Sequence, residues 1–146
     1  MSKNKQGTIM KNLTLTIALF IISQGVIAEN DDHYLGNFKG SEDFAVTCSN
    51  SAWNNSGNRS WSVNHYEVNG NKYKGTIRTD GGQYQAEGTI SGNSATGTFT
   101  GKDKNGNTCN GEFSNTLESD QLKASAKGSC PSVGCTFTGE VTATRQ

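Results

Sequence analysis

From Tyr34 to the C-terminus, apolar and polar residues alternate with a period of two, and each run ends in a turn signal. The turns are Asn69-Gly70, Asp80-Gly81-Gly82, Ser91-Gly92-Asn93, Asn105-Gly106, Ser119-Asp120 and Pro131 to Gly134. Asn-Gly and Asp-Gly accept the positive φ that tight hairpins need. The pattern predicts eight strands. The first covers about 34–48, with a break near Ser41-Glu42-Asp43; the others cover 60–68, 71–79, 83–90, 95–101, 108–117, 121–130 and 135–144. No helical period appears after residue 29.

Strand parity is consistent. One face carries Tyr73, Gly75, Ile77, Tyr84, Ala86, Ile90, Phe99, Phe113, Leu122, Ala124, Phe137 and Val141. The other carries Lys72, Lys74, Arg78, Gln83, Gln85, Glu87 and many threonines. One dry face and one wet face is the antiparallel pattern. Small and large residues share the dry face in a repeated unit: Gly75-Thr76-Ile77, Gly88-Thr89-Ile90, Gly97-Thr98-Phe99 and Gly111-Glu112-Phe113. Such alternation lets a strongly coiled sheet close on itself. The expected fold class is therefore all-β: a small antiparallel up-and-down β-barrel of about eight strands, stabilised by disulfides.

Over about residues 71–116 the glycine spacing resembles that of exported bacterial barrels, including the barrel lobes of transferrin-binding-type surface proteins. The segment Phe44 to Trp53 (FAVTCSNSAW) resembles the opening of cyanovirin-type lectins, the rest of whose pattern is absent. Both likenesses imply a β fold and nothing about a ligand.

Composition narrows the setting. Lys3, Lys5 and Lys11 precede an apolar stretch from Leu13 to Ile27, which ends in Val26-Ile27-Ala28. A basic start, an apolar middle and small residues at −3 and −1 make a secretory signal. The expected organisation is a signal peptide at 1–28 and one β-barrel domain at 29–146. The expected location is the periplasm or the medium. The apolar stretch is short for a spanning helix of roughly 20 residues, so no membrane span is expected in the mature chain. Those three lysines leave 10 basic residues against 13 acidic ones after the cut, a net charge near −3. A mildly acidic domain with no basic run argues against nucleic acid as a partner.

Cys48, Cys109, Cys130 and Cys135 all lie after the signal. An even count in a small exported protein reads as disulfides. Zinc prefers close Cys or His pairs, and neither His33 nor His65 is near Cys130 and Cys135, so no metal site is expected. In a closed meander all four cysteines fall at one end. A two-residue turn at Ser119-Asp120 puts Leu117 opposite Leu122, Phe113 opposite Ala126 and Cys109 opposite Cys130. Closure then sets Cys48 beside Cys135. The expected pairs are Cys109–Cys130 and Cys48–Cys135. The rival is Cys130–Cys135 with Cys48–Cys109.

That same end carries the longer connections: Ser49 to Arg59, the Asp80 turn, Lys102 to Asn107, and Pro131 to Gly134. Function tends to sit on loops held by a rigid scaffold. Trp53, in an Asn-rich loop closed by Arg59, is the expected contact residue; its bland reading is a plug over the barrel end. Trp61, His65 and Tyr84 are placed on the inner face as lining of a possible pocket, with ordinary core packing as the alternative. His65 and Glu67 fall on one strand face by parity, an acid–base pair in principle. No nucleophile accompanies them, so no catalytic residue and no cofactor are expected. Asp31-Asp32-His33 reads as a mobile terminus. Asp103-Lys104-Asn105-Gly106-Asn107 resembles part of a calcium loop, but Thr108 stands where glycine is needed and Ser114 where glutamate is; it reads as a hairpin turn. The expected function is a secreted or periplasmic, non-enzymatic binding module. Its partner is an unidentified protein or small ligand in the exported compartment. The alternative is an inhibitor or immunity protein that occludes an enzyme's active site.

Overall fold

The computed structural model describes residues 31–146, so the expected signal peptide lies outside the described residues. Eight antiparallel strands run in chain order: β1 (Gly36–Cys48), β2 (Asn55–Asn69), β3 (Lys72–Thr79), β4 (Gly82–Ser91), β5 (Ser94–Asp103), β6 (Thr108–Glu118), β7 (Gln121–Cys130) and β8 (Cys135–Arg145). Each pairs with its neighbour, and β1 pairs with β8, so the sheet closes into a barrel. Closure leaves no edge strand to template aggregation. Among the described residues, no helix is long and apolar enough to cross a membrane.

Two strand boundaries differ from expectation. β1 has no break at Ser41-Glu42-Asp43; it pairs without interruption with β2 and β8. Glu42 keeps its inward parity because Arg59 lies directly opposite on β2 and takes its charge. β2 begins at Asn55, five residues earlier than expected, because Asn55 to Arg59 pair with Val46 to Glu42. The long loop therefore shrinks to Ser49–Asn54, with a short 3₁₀ turn at Ser51–Trp53.

The barrel has two unlike ends. The cysteine end carries the Ser49–Asn54 loop, the Asp80-Gly81 turn, the Lys104–Asn107 turn and the Pro131–Val133 3₁₀ turn. Both disulfides are there, joined as expected: Cys48–Cys135, with Cα atoms 4.0 Å apart, and Cys109–Cys130, with Cα atoms 4.2 Å apart. Cys130 and Cys135 are also register partners between β7 and β8. The four half-cystines thus form one continuous row across β6, β7, β8 and β1, pinning that rim.

The far end has tight turns and something more. A 3₁₀ turn at Asp32–Tyr34 folds under the barrel and drives Tyr34 inside, where it is fully buried. Its hydroxyl meets the backbone carbonyl of Asn93 and Oδ1 of Asn115, each at 3.0 Å. Burial, helped by Asp31, pushes that hydroxyl up to about 12. Arg145 ties the turn down, donating to the carbonyls of Leu35 and His33. The segment expected to be a mobile terminus is therefore the barrel's floor. His33 stays exposed on its outside, against the Gly92 carbonyl.

The inner glycines explain the packing. Phe99 faces Gly111 and Phe113 faces Gly97 across β5 and β6. Phe137 faces Gly128, and Tyr73 faces Gly88. A Cβ on Gly111, Gly97, Gly128 or Gly88 would lie 2.5, 2.6, 2.5 or 2.3 Å from its partner's ring. Each ring therefore lies back against the neighbouring strand's bare backbone. Rings laid along the wall do not fill the middle.

Candidate functional site: the barrel interior

The lower half of the barrel is packed. Tyr34, Phe38, Val63, Tyr73, Ile90, Ala95, Leu117, Leu122 and Ala143 form one buried cluster. The upper half carries a smaller buried cluster, Tyr84, Ala86, Phe99, Cys109 and Cys130, beside an open space. Phe44, Val46, Ile77, Phe113, Ala126 and Phe137 point inward by parity, yet all are only half-buried. Inward apolar residues keep accessible surface when they line an open space. That space is a cavity of about 610 Å³, reaching from Trp53, Asn105 and Val133 at the cysteine-end rim down to His65, Tyr73 and Asn115. The volume falls inside the range of roughly 300–1,000 Å³ typical of small-molecule pockets.

Trp61, His65 and Tyr84 all line this cavity, as their parity suggested, and so do Arg59 and Trp53. Each has a different role. Trp61 and Tyr84 are wall residues, nearly buried. Burial raises the Tyr84 hydroxyl; Arg59 opposes that, and Asp103 and Glu42 add to it. Trp53 sits on the rim and is 56% exposed, so it does not plug the mouth. Arg59 is not a loop residue but part of the β2 wall. Its Nε donates to Glu42 Oε2 at 2.5 Å, and its guanidinium lies 4.5 Å from the centre of the Phe44 ring. Gly139 makes room for the Glu42 carboxylate, since a Cβ there would lie 2.1 Å from Oε1.

His65 closes the bottom of the cavity. Its Nδ1 is 2.8 Å from the Tyr34 carbonyl oxygen, so Nδ1 carries the proton. Desolvation lowers its pKa to about 4; the Tyr34 carbonyl works against that, and the Arg145 charge adds to it. The ring is thus neutral at ordinary pH. Beside it, Asn115 accepts from Tyr34 and donates from Nδ2 to the Tyr73 hydroxyl at 3.1 Å. Burial raises the Tyr73 hydroxyl well above its usual value, while the Asn115 hydrogen bond pulls the other way.

The His65–Glu67 pair is dissolved. The β2–β3 register slips between them, making Tyr66 a bulge. His65 therefore faces in, while Glu67 faces solvent and pairs with Lys74 at 3.4 Å. Tyr66 is turned outward and half-exposed. The Asp103 segment is a hairpin turn, as read. Asp103 Oδ1 accepts from the Asn105 and Asn107 amides, and Oδ2 accepts from Asn107 Nδ2. Burial works to raise the Asp103 carboxyl, but these hydrogen bonds outweigh it and the net shift is downward. Asp103 also lies near Cys109 and Cys130, but both sulfurs are spent in their disulfide.

Sequence reasoning missed Tyr34, Asn115 and the Glu42–Arg59 pair. Glu42 and Arg59 are legible only once the β1–β2 register places them opposite each other. Compared with known protein families the chain matches none, and no curated protein matches it.

Proposed function

We propose that this protein is an exported, non-enzymatic binding module that holds a small, largely apolar molecule inside its barrel, entered through the cysteine end. The supporting observation is the cavity of about 610 Å³, walled by Phe44, Trp61, Tyr84, Phe99, Phe113 and Phe137. An eight-stranded barrel has about the width to hold one small ligand when its inward side chains leave the centre open. The disulfide row fixes the rim, so the entrance costs little ordering on binding. Two disulfides suit an oxidising compartment.

The second reading, occlusion of an enzyme by the loops, draws on Trp53, which the rim holds out to solvent. Trp is enriched among interface hot spots. The barrel wall favours the first reading, because a protein that only blocks an active site gains nothing from a hollow core.

The test is to purify the protein from its own source without denaturation and examine it by native mass spectrometry and solvent extraction. A stoichiometric small molecule supports the binding reading. A stoichiometric enzyme that loses activity when bound, with nothing in the barrel, would replace it with the inhibitor reading.

A further inference from the structure

We infer that the ligand is uncharged and carries a hydroxyl or N–H donor at its inner end, which it gives to Nε2 of His65. This rests on the reading of the barrel as a ligand-binding cavity.

His65 is 4% exposed, so its polar atoms are held away from bulk water. Nδ1 donates to the Tyr34 carbonyl, which leaves Nε2 with a lone pair. Among the described residues Nε2 receives no hydrogen bond, yet no fully enclosed side-chain nitrogen or oxygen lacks a partner. Nε2 therefore keeps some accessible surface, and the open space that His65 lines is the cavity. An acceptor at the end of an apolar cavity selects a donor. A ligand without one leaves it unpaired, and that mismatch is penalised by more than a bond is worth.

The charge of the cavity sets the rest. Its charged lining residues are Glu42, Arg59, Asp80, Asp103 and Lys104. Glu42 and Arg59 neutralise each other inside the wall. Asp80 and Lys104 lie in the rim turns, and Asp103 is tied up by Asn105 and Asn107. The deep part offers no unbalanced charge, so an ionised group would be desolvated there without a partner.

The experiment titrates the protein by calorimetry with 1-naphthol and with 1-methoxynaphthalene, which has the same ring but no donor. The expected result is that 1-naphthol binds roughly five- to a hundredfold more tightly, the cost of leaving a buried acceptor unpaired. His65→Phe should abolish that preference while still binding both probes. Equal affinities for the wild type would overturn the inference and leave the cavity reading standing. A preference that survives in His65→Phe would overturn the assignment to His65. No binding of either probe would remove the cavity reading and the inference with it. Should His65→Phe not fold, the imidazole nitrogen resonances of the wild type decide. Nε2 should move with 1-naphthol and not with 1-methoxynaphthalene; no movement overturns the inference.

Discussion

Acidification from about pH 7.5 to about pH 4 is expected to remove roughly 3 kcal/mol of stability through His65 alone. An unfolded-chain histidine titrates near 6.5, and His65 in the barrel titrates near 4. Each pH unit between them is worth about 1.4 kcal/mol. The sign follows from which state binds the proton first. The folded value is the lower, so the unfolded chain protonates first as pH falls. The stability gained by keeping His65 neutral is complete above about pH 6.5 and is lost on the way down to about pH 4. The rings of Tyr34, Phe38 and Tyr73 pack around His65. The charge acting on it is that of Arg145, which also disfavours the imidazolium. The assay is urea unfolding at a series of pH values, for the wild type and for His65→Gln. Glutamine keeps an N–H for the Tyr34 carbonyl but does not titrate. The carboxylates are common to both proteins, so the difference between the curves isolates His65. If both proteins lose stability in parallel between those pH values, His65 is not the buried neutral residue described above.

Three further outcomes are expected. Gly128→Val should cost about 1–3 kcal/mol by overpacking, because its Cβ would lie 2.5 Å from both the Phe137 ring and the Asn110 carbonyl oxygen; an unchanged urea midpoint would mean the rings do not need bare backbone to lie on. Arg59→Met should cost about 3–5 kcal/mol by leaving Glu42 buried and unpaired, and adding Glu42→Met should recover most of it; equal losses in the single and double variants would contradict the pairing. Trp53→Ala should leave the unfolding midpoint within about 0.5 kcal/mol of the wild type and weaken probe binding at the rim; unfolding at ambient temperature would show that Trp53 belongs to the core.

Much of the fold was legible because alternation fixes faces and turns fix register. The Ser119-Asp120 turn alone set Leu117 against Leu122 and carried that register up to Cys109 and Cys130, and the structure keeps it. Closure then left Cys48 beside Cys135. What alternation cannot show is an inward charge whose partner lies on another strand. Glu42 read as a break for that reason. Asn55 to Arg59 read as loop because residues near a rim are polar on both faces. A single bulge at Tyr66 was enough to part His65 from Glu67. Tyr34 read as the start of the first strand, but it ends a 3₁₀ turn, and so short a turn carries no period to announce that it would fill the floor. Trp61, His65 and Tyr84 were placed on the inner face correctly, but parity gives direction and not depth. The hollow itself is encoded in which glycine faces which ring, and that is read only with the register known.

The most direct measurement is a titration of the protein with N-phenyl-1-naphthylamine, an uncharged fluorophore, alongside the variant Ala126→Phe. Ala126 lines the cavity and lies opposite Phe113 on β6 and Gly139 on β8. A folded, disulfide-intact Ala126→Phe barrel should have that space filled. The expected result is saturable binding of one probe per wild-type barrel, with quenching of the tryptophan emission, and loss of binding in Ala126→Phe. No saturable binding to the wild type, or equal binding to both proteins, would contradict the hollow barrel as the binding site.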